Sequence, residues 1–214
     1  MLKNLFILIA LFSSCAHYRL KDKNNPFAQY QISKLYIPMF YNQSNFPGVN
    51  GILTQKIYQT LAQYNQLKIV SKASEADAAL VGIVESPQSM REAISTNSTK
   101  SAKNTYSEVL KDTDKDYIIP SVNEVNLSLR IVLIKHPSKE EIDFFQNPKT
   151  KNIMSSKIIF NQSISLSEEY NIKELQGEAT KVLGSQNRGV QREAISDLTD
   201  VAAEKFKEVI LYAF

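Results

Sequence analysis

Val122-Asn123-Glu124-Val125-Asn126-Leu127-Ser128-Leu129-Arg130-Ile131-Val132-Leu133-Ile134-Lys135 is the stretch on which the fold turns. Val125, Leu127, Leu129, Ile131 and Leu133 alternate with Asn126, Ser128 and Arg130. A period of two is what a strand with one buried face requires. Lys157 to Ser167 repeats it, with Ile158, Phe160, Ile164 and Leu166 on one side and Asn161, Ser163 and Ser165 on the other. The two stretches are expected to pair as an antiparallel hairpin with a long connection. Their polar sides suit a sheet that meets water on one face.

Moving toward the N-terminus, Ala78 to Glu85 (A-A-L-V-G-I-V-E) is a nearly continuous apolar run. A run of that length predicts a strand buried on both faces or nearly so. Leu67 to Val70 reads as a short strand, and Glu75-Ala76-Asp77 as a turn. Val49, Ile52, Leu53, Ile57, Leu61 and Tyr64 follow the helical period and predict a helix over 49–64. Ser33 to Phe40 alternates as a strand, but Pro38 inside it calls for an edge position or a bulge. Toward the C-terminus, Ile195, Leu198, Ala202, Phe206 and Val209 predict a long amphipathic helix over 190–212. Residues 168–186 are ambiguous, with room for a short helix.

Two segments, 88–121 and 136–156, are rich in polar residues and read as long loops. Loops of that length are unusual in a compact domain. The expected order is β-α-β-β-β-β-α. The expected class is α+β: a two-layer sandwich of two amphipathic helices on one face of a mixed or antiparallel sheet, forming a single domain over 31–214.

The first residues belong to a different kind of segment. Lys3 is followed by an unbroken apolar run from Leu5 to Phe12, then Ser13-Ser14-Cys15. A charged start, a short apolar stretch and small residues make a secretory signal over 1–14. The run is far short of the ~20 residues a spanning helix needs. Small residues leading into Cys15, the only cysteine of the chain, resemble the lipobox of bacterial lipoproteins. Phe12 stands where that pattern most often has leucine. The resemblance implies cleavage before Cys15, lipidation of its thiol and acylation of the new amine. Stable anchoring takes more than one acyl chain, which such a residue carries. Residues 15–30 would then be a lipidated tether. Ala16 is not the aspartate that retains some lipoproteins at the inner membrane, so the expected location is the outer membrane, facing the periplasm.

Little in the chain suggests catalysis, and the expectation is a protein that is not an enzyme and carries no cofactor. The histidines are His17 and His136 alone, so a zinc site has no ligand set. There is no nucleophile elbow and no phosphate-binding loop. Glu140/Glu141 and Glu168/Glu169 are adjacent residues in polar segments, as solvated charges are. Asp112, Asp114 and Asp116 lack the remaining ligands and closing glutamate of a calcium loop. Net charge is +3, too small to argue for nucleic acid. For an anionic lipid the natural ligands are lysine and arginine. Arg130, Lys135 and Lys68 are the candidates, beside a diffuse group of Lys100, Lys103, Lys111 and Lys115 offset by the aspartates.

Taken in order, these features resemble the lipopolysaccharide-assembly lipoproteins, the LptE family. The shared series is the lipobox, a tyrosine-containing lead-in (Cys15-Ala16-His17-Tyr18-Arg19-Leu20), and a loop with Asn42-Gln43-Ser44 and Pro47-Gly48. It continues with an amphipathic helix, Ala76-Asp77-Ala78-Ala79-Leu80-Val81-Gly82, and a last helix opening Arg192-Glu193-Ala194-Ile195-Ser196-Asp197-Leu198. The resemblance covers most of the mature chain. The inserts at 88–121 and 136–156 depart from the compact pattern. It implies a protein that sits in the lumen of a large LptD-type outer-membrane β-barrel as plug and assembly factor, and contacts lipopolysaccharide. The competing reading is a free-standing envelope lipoprotein that binds a cell-wall or small envelope ligand in a concave pocket.

Overall fold

The computed structural model describes residues 24–88, 90–102, 117–146, 157–175, 178–182 and 184–213. In chain order the elements are β1 (Lys34–Tyr36), β2 (Tyr41–Gln43), α1 (Val49–Leu61), β3 (Lys68–Val70), β4 (Ala78–Glu85) and β5 (Ile94–Ala102). There follow β6 (Tyr117–Lys135), α2 (Lys139–Gln146), β7 (Ile158–Asn171), β8 (Glu174–Leu175), β9 (Glu178–Val182) and α3 (Gly184–Ala213). A single helical turn, Met90–Ala93, precedes β5.

β6 is the spine of a mixed seven-stranded sheet. Along one edge it pairs antiparallel with β7, from Val122↔Asn171 to Ile134↔Ile158. Its other edge is shared. β4 takes the part from Ser128 to Lys135, and β5 takes the part from Tyr117 to Val125, both antiparallel. β1 and β2 lie parallel to β4 on its far side, one after the other, and β3 closes that end beside β1. The interruption between β1 and β2 falls at Pro38, whose missing N–H cannot join a ladder. Where an edge position or a bulge was expected, the structure has a full break between two short strands.

One face of this sheet carries both main helices. α1 buries Val49, Leu53, Ile57 and Leu61, four residues at a spacing of four. α3 buries Ala194, Leu198, Ala202, Phe206 and Ile210 at the same spacing. Both stripes meet Leu80, Val125, Leu127, Leu129, Ile131 and Leu133 in one cluster. Lys56 of α1 and Asp200 of α3 form an ion pair across the helices. This is the α+β sandwich expected from the sequence.

The other face is where expectation and structure part. The segment 136–156 is not all loop: it contains α2. Ser138 and Glu141 form a reciprocal cap. The Glu141 N–H donates to Ser138 Oγ at 3.2 Å, and the Ser138 N–H to Glu141 Oε2 at 2.8 Å. α2 buries Ile142 and Phe145 against Ala79, Val81, Val132 and Ile134. Those four sheet residues are thereby apolar on a face that is polar elsewhere, and this explains why β4 reads as apolar on both sides. Likewise 88–121 is not all loop. β5 lies within it, and β6 begins at Tyr117 rather than Val122. The ambiguous stretch 168–186 holds the rest of β7, the β8–β9 hairpin and the start of α3, and no separate short helix among the described residues.

Candidate functional site

The open part of the outer face is a lattice of hydrogen-bonding side chains. Register sets its rows. Asn126 lies beside Ser167, Ser128 between Glu85 and Ser165, and Arg130 between Ile83 and Ser163. Successive rows alternate down the strands, so the same parity that buries Leu127, Leu129 and Ile131 presents Asn126, Ser128 and Arg130. Arg130 Nε donates diagonally to Asn161 Oδ1 at 3.0 Å. A shallow cleft runs over these rows, lined by Glu85, Asn126, Ser128, Ser165 and Ser167 and reached by Lys205 from α3. Lys205 Nζ donates to the Ser165 carbonyl at 2.9 Å, which places that carbonyl on the β7 edge away from β6.

Toward the far end of the sheet the lattice becomes acidic. Glu124 and Glu169 are direct register neighbours, an arrangement that like charges disfavour. Each is bonded by a neighbour. The Ser95 hydroxyl donates to Glu124 Oε2 at 3.2 Å, and the Asn97 amide donates to Glu169 Oε1. Asn126 Nδ2 reaches Ser95 Oγ at 3.2 Å and the Glu92 carbonyl at 3.3 Å. This network draws β5 into the outer face.

The three basic candidates are not brought together. Arg130 is on the outer face. Lys135 pairs with Ala78 at the end of β6, with the parity of the helix-covered face. Lys68 is exposed on β3 beside Lys34. Cys15, His17, Lys103, Lys111, Lys115 and the aspartates at 112, 114 and 116 lie outside the described residues. Among the described residues no group of three or more His, Cys, Asp or Glu is placed to hold a metal ion. No helix there is long and apolar enough to cross a membrane.

The residues that carry the family resemblance have structural work. Asp77 Oδ2 accepts the Ser33 N–H at 2.9 Å, the Ser33 hydroxyl at 3.0 Å and the Lys34 N–H at 2.8 Å. Partial burial pushes this carboxyl up, but those bonds and the Lys34 charge outweigh it and hold it below the usual carboxylate range. Asp77 thus ties the start of β4 to the start of β1. Gly82 faces the Phe40 ring so closely that a Cβ there would stand 2.5 Å from it. Asn42 closes its own loop, donating to the Phe46 carbonyl at 2.8 Å and accepting from the Ser44 N–H at 2.9 Å. Gly48 sits at φ +79 just before α1. Ala194 and Leu198 are core.

One feature escaped the sequence reading. Between the β1–β2 break and α2 lies an apolar groove lined by Tyr36, Pro38, Met39 and Ile142, with Lys72 and Lys139 beside it. The only signal for it was Ser138-x-x-Glu141, which marks the start of α2.

No family model and no curated protein match this chain. Among solved structures it is similar to a candidate lipoprotein of Caulobacter crescentus, at 11% identity and a TM-score of 0.40 over 82% of this chain and 90% of that one. It is also similar to the rare lipoprotein B of Shewanella oneidensis (10%, 0.36, 84% and 92%). The uncharacterized lipoprotein B of Nitrosomonas europaea gives 11%, 0.37, 86% and 85%. All three are described as lipoproteins. At these identities and TM-scores the likeness assigns no function.

Proposed function

We propose that this protein is a non-enzymatic envelope lipoprotein, anchored through Cys15 in the outer membrane, that plugs and helps assemble a large LptD-type β-barrel of the lipopolysaccharide export route. In this reading it contacts lipopolysaccharide during delivery. The observation that supports it most is the outer face of β6 and β7. Six side chains there, Asn126, Ser128, Arg130, Asn161, Ser163 and Ser165, form a broad hydrogen-bonding surface with a single positive charge. The interior of a transmembrane barrel is polar and hydrated, and such a surface can exchange water for lumen side chains at small desolvation cost. The series of sequence motifs after the lipobox supports the same reading.

The test is a tagged pull-down from a mild-detergent extract of outer membranes, with the bands identified by mass spectrometry. A large β-barrel at one-to-one stoichiometry that survives high salt is the expected result. A lipidated protein recovered alone would overturn the plug and favour a free-standing binding module.

A further inference from the structure

We propose that two copies of this protein pair edge to edge through β7, antiparallel about a two-fold axis at Ser165, so that two seven-stranded sheets become one. The inference goes beyond the reading above and does not rest on it, because edge pairing leaves the polar outer face open.

β7 runs for 14 residues, and among the described residues it pairs with β6 alone. Which backbone groups face its other edge follows from two hydrogen bonds. The Ile172 N–H donates to the Ser121 carbonyl of β6 at 2.9 Å. In steps of two, the residues from Tyr170 back to Phe160 therefore turn their N–H and C=O toward β6. Asn161, Ser163, Ser165, Ser167 and Glu169 turn theirs the other way. Lys205 agrees with this parity, since its Nζ meets the Ser165 carbonyl at 2.9 Å from that side. An open edge templates pairing with a further strand unless lysine, proline or a bulge guards it. Ile158 to Ser167 holds no charge, no proline and no glycine. The irregularity of the β6–β7 ladder lies at its Ile158 end. Lys205 guards one carbonyl, at the centre.

The sequence of the strand says what the further strand is. Phe160-Asn161-Gln162-Ser163-Ile164-Ser165-Leu166-Ser167-Glu168-Glu169-Tyr170 has nearly the same chemical character read in either direction. A two-fold at Ser165 sets each residue against the one equally far beyond Ser165 in the second copy. Ile164 then meets Leu166, Ser163 meets Ser167, and Phe160 meets Tyr170. Glu168 and Glu169 meet Gln162 and Asn161, and not each other. Asn161 gives its Oδ1 to Arg130, so its Nδ2 is the atom that donates to Glu169 of the second copy. Moving the axis one residue either way sets Glu168 opposite Phe160 or Ile164, an acid against an apolar side chain. Because the Ser165 backbone faces outward, the axis falls on a pair that exchanges both hydrogen bonds. The outward residues of the two copies together make about ten such bonds. Past the aromatic ends the next charges are Lys173 and Lys157, and Lys157 is paired with Glu141 at 2.9 Å. Above the edge, Val201 and Val209 stand one turn either side of Lys205 on α3, both half-buried. That stripe of the helix is apolar except for Lys205, whose Nζ leaves the Ser165 carbonyl when the copies pair.

The experiment uses the mature chain, residues 15–214, with Cys15→Ser, which has no thiol of its own. Single cysteines then report the register under mild oxidation. Ser165→Cys stands about 5.5 Å from its copy between Cα atoms, within reach of a disulfide, and is expected to give a covalent dimer. Ser163→Cys is about 13 Å from its own copy and should cross-link poorly, but should link well when mixed with Ser167→Cys. Sedimentation velocity over a concentration series reads the reversible dimer. Ser165→Pro removes an N–H that takes no part in the β6 ladder. It should keep the wild-type circular dichroism and loosen the dimer by about tenfold or more. Lys205→Met removes the competing donor and should tighten the dimer about tenfold. A chain that stays monomeric at its highest soluble concentration would overturn the proposal. So would a dimer that a folded Ser165→Pro leaves intact, or one in which Ser163→Cys links to itself as readily as Ser165→Cys.

Discussion

Gly82→Ala is the most decisive single test of this packing, because two simple arguments give it opposite signs. Glycine inside a strand costs about 0.5–1 kcal/mol relative to alanine through backbone entropy. The φ of Gly82 is not positive, so on backbone grounds alone alanine should stabilise. The structure says otherwise. The added Cβ would stand 2.5 Å from Phe40 Cδ2 and Cγ and 2.6 Å from Cδ1. The ring is rigid and 1% exposed, so it cannot swing into solvent. Overpacking of this kind costs about 1–3 kcal/mol. The net expectation is a loss of about 1–2 kcal/mol, or roughly 2–8 °C in Tm for a chain of this size. Phe40→Ala alone should cost about 3–5 kcal/mol through the cavity it leaves. In the double variant the new methyl enters that cavity, so the pair should be more stable than the sum of its parts by about 2 kcal/mol. The chain has ten tyrosines and no tryptophan, so denaturant unfolding is best followed by circular dichroism with tyrosine fluorescence. A stabilising Gly82→Ala, or additivity within about 0.5 kcal/mol, would refute the contact.

Asp77→Asn removes the charge from a carboxylate that accepts three hydrogen bonds. The loss should be about 1–2 kcal/mol at pH 7, discounted for partial exposure. Because the folded carboxyl titrates below its unfolded value, its contribution is complete above about pH 4 and drains as pH falls through the folded value. Tm curves of wild type and variant should therefore converge toward pH 3, and parallel curves would refute the clamp. Ser138→Ala removes one half of the α2 cap and should cost about 1 kcal/mol. Hydrogen exchange should rise first in Lys139–Gln146 and over Val132 and Ile134, and unchanged exchange there would show that α2 does not depend on its cap. Cys15→Ser should leave an uncleaved or soluble precursor. Normal processing and unchanged membrane fractionation would remove the lipid anchor.

The parts of the fold that were legible are those whose periodicity is enforced by burial on one face. β6 from Val125 to Leu133, β7 from Phe160 to Leu166, and the stripes of α1 and α3 all meet one core, and each announces itself by spacing. Ile158, expected on the same side as Phe160, packs instead with the α2 cluster on the other face, because the register slips by one residue between Leu133 and Ile134. β5 did not. Ile94-Ser95-Thr96-Asn97-Ser98-Thr99-Lys100-Ser101-Ala102 has no apolar alternation, because its bonds to β6 lie at a part of the sheet where Ser98 and Ser121 hydroxyls meet across the strands at 2.6 Å. A strand that gains little from burial leaves no hydrophobic pattern. α2 was hidden for a related reason: eight residues hold only Ile142 and Phe145 as buried anchors, too few to stand out by period. At the candidate site, parity placed Arg130 correctly on the polar side. It also places Lys135 on the opposite side, and no local signal in sequence gathers residues from β1, the segment after β3 and α2 around the Met39 groove.

The shared edge of β6 sets the timetable of folding. β4 is apolar on both faces, and its second edge has no partner until β6 arrives, roughly 50 residues later. Synthesis at about 5–20 residues per second leaves that segment waiting for several seconds. The α1 unit and β1 to β3 cannot shelter it, because they cover one face and one edge only. The N-terminal half of this chain is thus an unfinished surface for as long as the second half is missing. An apolar strand with an open edge is an aggregation hazard for as long as it waits. The long-range pairing that makes the native sheet continuous is the same feature that sets the length of that wait.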